Sequence, residues 1–141
     1  MKINKLFRNT EGVRGCADVE EWEMSVSRKS VLFSTDFEGS GGAVYEAQIK
    51  FKRTKEAYGK NCVDTKKGVR IDKSQFEVYC DCCDHKFTFA PFLQDNGLAY
   101  REHDYSDVDI KGSGTQRHVE YAGMCKHLRG LWREIKKDLK K

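Results

Sequence analysis

The chain has 141 residues, 34% of them charged and 38% apolar, with a net charge of +4. That length suits one domain with a single modest core, and a charge content above the usual quarter keeps the core economical. No apolar run approaches the roughly 18 residues of a membrane-crossing helix, and MKINKLFRNTEGVRG lacks the apolar stretch of a secretory signal, so a setting with reduced thiols is expected.

In chain order, residues 1–21 show weak periodicity and two glycines, Gly12 and Gly15, and are expected to form an irregular arm. Trp22, Met24 and Val26 alternate with Glu23, Ser25 and Ser27, which predicts a strand with one buried face. Residues 31–37 (VLFSTDF) read as a strand, Gly39 to Gly42 (GSGG) as a turn, and residues 43–51 (AVYEAQIKF) as the return strand. The glycines do not form a phosphate-binding loop, because no Gly-Lys-Ser/Thr follows them. Residues 50–73 hold nine basic and three acidic side chains, and 52–73 read as a long basic loop. Lys52, Arg53, Lys55, Lys66, Lys67 and Arg70 are its candidate contacts to a phosphate backbone, although charge runs are more often simply solvated.

Residues 75–80 (QFEVYC) alternate again, with Phe76, Val78 and Cys80 on one side and Glu77 and Tyr79 on the other. KFTFAPF, with Phe87, Phe89 and Phe92, is expected to be a second strand ending at Pro91, before a turn at Asn96-Gly97. Residues 100–120 are polar and predict a surface loop, in which His103, between Glu102 and Asp104, reads as a solvated histidine. Gly123 suits a tight entry to the last segment, where Leu128, Leu131, Trp132, Ile135 and Leu139 make the apolar stripe of an amphipathic helix. Lysines gather towards its C-terminus, where the helix dipole favours them. The expected architecture is α+β, with residues 1–29 as arm and first strand, 30–75 as hairpin and basic loop, and 76–141 as a metal-binding module ending in the helix.

Six cysteines, at 16, 62, 80, 82, 83 and 125, permit disulfides, but a chain without a signal peptide disfavours them. Structural zinc takes four sulfur or imidazole donors in a closed tetrahedron. Cys80 and Cys82, one residue apart at a strand end, can both face an ion where the chain bends. Cys125 and His127 share that spacing and open the helix, where the dipole is expected to lower the thiol pKa. A local set of Cys80, Cys82, Cys83 and His85 is the rival, strained because adjacent cysteines project apart. Packing of the cysteines as small hydrophobes is the bland alternative. Cys16 and Cys62 read as ordinary thiols. His118-Val-Glu120 and the Cys80–Cys83 spacing are the parts of a zinc deaminase signature in the wrong order and without its proline. A Cys125–His127 nucleophile pair lacks an orienting third group.

V-Y-C-D-C (78–82) with C-K-H-L (125–128) at the head of a helix resembles a SWIM-type zinc finger, whose pattern is C-x-C, a spacer, then C-x-H in a ββα arrangement. The resemblance covers residues 76–139 and implies one structural zinc on Cys80, Cys82, Cys125 and His127. The 42 residues between Cys82 and Cys125 exceed common SWIM spacers, so the intervening fold is not carried over. C-D-C-C-D-H-K-F-T-F, a long polar insert and Y-A-G-M-C-K-H-L, preceded by the glycine-rich hairpin, are similar to small proteins of tailed bacteriophages. That similarity implies a non-catalytic virion structural component, made in the host cytoplasm (otherwise a cytoplasmic protein). Its partners would be other structural proteins or its own copies, with no membrane and no small-molecule substrate. SWIM-like domains also imply the alternative of nucleic-acid binding.

Overall fold

The computed structural model describes residues 1–27, 30–52, 74–103 and 119–139. Its frame is a four-stranded antiparallel sheet in the order β1-β2-β3-β4, made of Glu23–Val26, Ser30–Glu38, Val44–Lys52 and Phe76–Cys80. Helices α1 (Ile3–Asn9), α2 (Ala90–Asp95) and α3 (Lys126–Leu139) complete an α+β fold, as the sequence predicts. No described helix is long and apolar enough to cross a membrane.

The β2–β3 hairpin follows from the alternation on both sides of GSGG. Gly41 and Gly42 take φ of 83° and 84° in the connecting turn, a conformation other residues rarely adopt. Val31, Phe33, Ala47, Ile49, Phe51, Phe76, Val78 and Cys80 share the inner face and are fully or nearly fully buried. Helix α3 lies across that face through Leu128, Leu131, Trp132 and Ile135, all buried, with the Trp132 ring 5.6 Å from that of Phe51. Burying such side chains contributes about 1.5–3 kcal/mol each. The core draws on every stretch of the described chain, from Ile3 to Ile135.

Two expectations are overturned. The first residues are not an irregular arm: α1 buries Ile3 and Leu6 completely, and Asn4 Oδ1 accepts a 2.9 Å hydrogen bond from the Trp132 indole. KFTFAPF is not a strand either. Residues His85–Phe89 form a π-helical turn that runs into α2, with Pro91 in the first turn, where its missing N–H is tolerated. Buried positions there are His85, Phe89, Ala90 and Leu93, a helical spacing rather than an alternation. The outer edge of β4 is met instead by residues 98–100, which run parallel to it. The Val78 amide donates to the Leu98 carbonyl, and the Tyr100 amide to that of Val78.

Gly123 is required by a close approach rather than by helix entry, since a Cβ there would lie 2.7 Å from the Phe89 ring and 2.8 Å from the Thr10 methyl. Met24 is 41% exposed, so the period-2 pattern of β1 does not bury it.

Candidate metal centre

Cys80 ends β4 on its inward side, and the chain turns at once so that Cys82 faces the same point. The turn is held by the His85 amide, which donates to Cys82 Sγ at 3.3 Å, and it starts the π-helical stretch. Cys125 and His127 arrive from the head of α3, which crosses the same end of the sheet. One donor atom from each of Cys80, Cys82, Cys125 and His127 lies within 4.8 Å of all the others, and all four residues are buried. Cys80 Sγ and His127 Nδ1 are 3.7 Å apart. A zinc tetrahedron has S–S edges of about 3.8 Å and S–N edges of about 3.6 Å, from bond lengths of about 2.3 and 2.0 Å. The quartet therefore fits the dimensions and donor chemistry of a four-coordinate metal.

The electrostatics point the same way. Three thiols packed out of water cannot all ionise without a compensating cation. Hydrogen bonds from Cys125 and Cys80 push the Cys82 thiol far down. At Cys80 the Cys125 contact pulls down, but Cys82 and burial outweigh it and the thiol is pushed up. Burial pushes Cys125 well up as well, followed by its contacts with Cys80 and Cys82. Without a metal, loss of solvent and the neighbouring thiols push Cys125 the opposite way from the lowering expected of the helix dipole. A bound cation would favour the thiolate form of the sulfurs.

The imidazole of His127 is fixed from the hairpin. Its ring lies 4.6 Å from that of Phe37 and 5.7 Å from that of Tyr45, which are cross-strand partners beside the turn. Arg14 makes a two-pronged ion pair with Asp84, at 2.7 and 2.9 Å, tying the segment after α1 to the turn after Cys82. Arg129 is nearly buried on α3 and donates to the carbonyls of Arg14 and Phe7, with its guanidinium 4.2 Å above the Phe7 ring. The alternating strands hinted at Phe37 and Tyr45; nothing in the local sequence signalled Arg14 or Arg129.

This chain matches no family model, no curated protein and no solved structure.

The rival local set is not assembled, since Cys83 is exposed and the His85 ring points elsewhere; the quartet is the metal-type group among the described residues. His85 is completely buried against Tyr79 and His103, with neither ring nitrogen hydrogen-bonded among the described residues. Burial, then the neighbouring His103, pushes its pKa down to about 3. His103 is not a solvated histidine: it is half-buried and stacks on Tyr79 with 4.7 Å between ring centres. Burial, then Lys86, pushes its pKa down too. Under that stack the Tyr79 hydroxyl is pushed up to about 12, first by burial and then by Asp81. Cys16 is half-buried and unpaired in any disulfide. Of the phosphate-contact candidates, Lys52 is exposed at the end of β3; Arg53, Lys55, Lys66, Lys67 and Arg70 lie outside the described residues, as do Cys62 and His118.

Proposed function

We propose that this chain is a non-catalytic structural protein that holds one zinc ion on Cys80, Cys82, Cys125 and His127 and works by binding other proteins, as a component of a tailed-bacteriophage particle assembled in the host cytoplasm. The observation that carries the reading is a set of four protein donors, every one buried. Thiolates with one imidazole are the donor set of structural zinc, and four protein ligands leave no position for water or substrate. The ion would supply a cross-link between the end of β4 and the head of α3. Sites of this kind contribute on the order of 10 kcal/mol to small domains, comparable to the whole stability of a globular chain. The virion assignment is supported by the resemblance of the two motif ends and the hairpin to small phage proteins.

Metal analysis of the purified chain should find one zinc per chain. A strong chelator should strip it together with most of the helical signal at 222 nm. Helical signal unchanged after confirmed zinc loss would refute the structural role. The native mass of the assembly tests the second part, where a large particle is expected. A second reading, nucleic-acid binding, is favoured by a net +6 over residues 50–73 and +5 over 126–141. A monomer that shifts DNA at about 50 mM salt and releases it steeply as salt rises would replace the first reading with the second.

A further inference from the structure

A cleft of about 690 Å³ runs along the outer edge of β2, with Phe37, the neighbour of His127, in its wall. Strand β1 pairs with β2 only as far as Glu23 opposite Ser34, whereas β2 continues to Glu38 and stays paired with β3 throughout. Alternate residues of a strand aim their backbone groups at opposite neighbours. The Lys52 amide bonds Gln75 and the Glu46 carbonyl accepts from Asp81, so the even-numbered residues of β3 face β4 and the odd-numbered ones face β2. Their partners in β2 are also odd-numbered, which turns the backbone groups of Ser34, Asp36 and Glu38 outward. Ser34 meets Glu23. Among the described residues, Asp36 and Glu38 have no backbone partner on that side.

Around this open edge, seven of the twelve lining residues are Asp or Glu and none is Lys or Arg. Asp18 lies 3.9 Å from Arg133; the other six carboxylates have no ion pair among the described residues. Trp22 and Phe37, both half-buried, provide apolar wall.

We propose that this edge docks an extended, Lys/Arg-rich segment of a partner protein, which adds as a short strand beside Asp36 and Glu38. Two independent features select that occupant. Unpaired strand groups are complementary to an extended backbone, which can pair with them where a helix cannot. A cluster of carboxylates without ion pairs is complementary to cations, which an extended peptide presents at alternate positions on one side. The aromatic walls then take the side chains between them. The proposal deepens the reading of the chain as a protein-binding component and rests on it only for the partner being a protein.

The probe is a synthetic peptide alternating lysine and valine, titrated by calorimetry into the zinc-loaded full chain at physiological salt. Its controls are a glutamate–valine counterpart and the same lysine peptide N-methylated on the pairing amides. The expected result is micromolar binding of the lysine peptide, no binding of the glutamate peptide, and weakening of about tenfold or more on N-methylation. The exposed double variant Asp36→Lys, Glu38→Lys, checked by circular dichroism to be folded, should lose binding by a similar factor. Absence of binding overturns the proposal. Equal binding of the methylated peptide also overturns it, reducing the cleft to unspecific charge attraction. Self-association of the chain alone that the double variant abolishes would make a second copy the occupant and overturn the partner assignment. Zinc content measured on the same samples separates the two readings: failed docking with one zinc per chain condemns the docking site alone, and a folded chain without zinc condemns the metal reading alone.

Discussion

Gly130, in the second turn of α3, offers a sharp test of how the helix is seated. Helix propensity says that Gly130→Ala should stabilise the chain by about 1 kcal/mol. Packing says the opposite. A Cβ at this position would overlap the Ala17 carbonyl oxygen and lie 3.0 Å from its carbon and 3.1 Å from the Ala17 nitrogen. The obstacle is backbone, which cannot rotate aside as a side chain can. It is also held in place, because the Ala17 amide donates to the Lys126 carbonyl at 2.9 Å and Arg129 donates to Arg14 nearby. Forcing a methyl into such a contact costs about 1–3 kcal/mol, and loosening the Ala17 hydrogen bond costs about 1 more. With the propensity gain subtracted, the net destabilisation is about 1–3 kcal/mol, equivalent to a fall in Tm of roughly 3–12 °C. Thermal melts of the zinc-loaded proteins, followed at 222 nm, measure it directly. A variant that melts at or above the wild-type temperature would refute the close seating of α3 on residues 14–17.

The remaining predictions concern the sulfur cluster and its surroundings. Cys83→Ser should retain one zinc per chain by elemental analysis and Cys125→Ser should lose it; the reverse outcome would restore the local ligand set. His85→Phe should match or exceed wild-type stability at neutral pH by about 1 kcal/mol in urea, because it removes a buried ring with no hydrogen-bond partner among the described residues. The acid side carries a sign: the His85 pKa is about 3 in the fold against about 6.5 unfolded. Only the unfolded chain therefore takes the proton as pH falls from about 6.5 towards 3, and stability is lost over that window. Between pH 6.5 and 4.5, wild type should thus lose about 2–3 kcal/mol more than His85→Phe; parallel curves would contradict the burial of that ring. Arg129→Met keeps the apolar stem but takes the guanidinium donor from the Arg14 carbonyl, while the Phe7 carbonyl keeps its bonds from Thr10, so chemical denaturation should show a loss of about 1–2 kcal/mol, with zinc retained.

The parts legible from sequence share one property: a pattern long enough to have a period. The β2–β3 hairpin alternates over nine residues on each side of its glycines, and α3 repeats its apolar stripe over four turns. The convergence of Cys80, Cys82, Cys125 and His127 was legible because two pairs with the same one-residue spacing sit at element ends, where a chain can turn both side chains inward. The rest was hidden by shortness or ambiguity. Helix α1 has seven residues and only Ile3, Leu6 and Phe7 to mark it, at offsets that a loop shows as often. In KFTFAPF the phenylalanines at 87 and 89 mimic a strand, while the buried set of His85, Phe89, Ala90 and Leu93 follows a helical period. The turn that brings Cys82 to the cluster starts that helix, a tertiary demand with no local sequence mark. His103 looked solvated because its neighbours are acidic, and only the ring of Tyr79 across the fold makes it otherwise.

The seating of α1 also sets an order of events. Asn4 receives its hydrogen bond from Trp132, 128 positions away, and Phe7 receives Arg129 from a similar distance. A seven-residue helix has no stability of its own in water. On a ribosome adding about 5–20 residues per second, Ile3 and Leu6 thus wait in solvent for many seconds until α3 emerges. The hairpin can close early from neighbouring residues, whereas α1 becomes a helix only once α3 has been made. Its docking therefore waits for α3, and pairs of contacts this far apart in sequence make for slow folding.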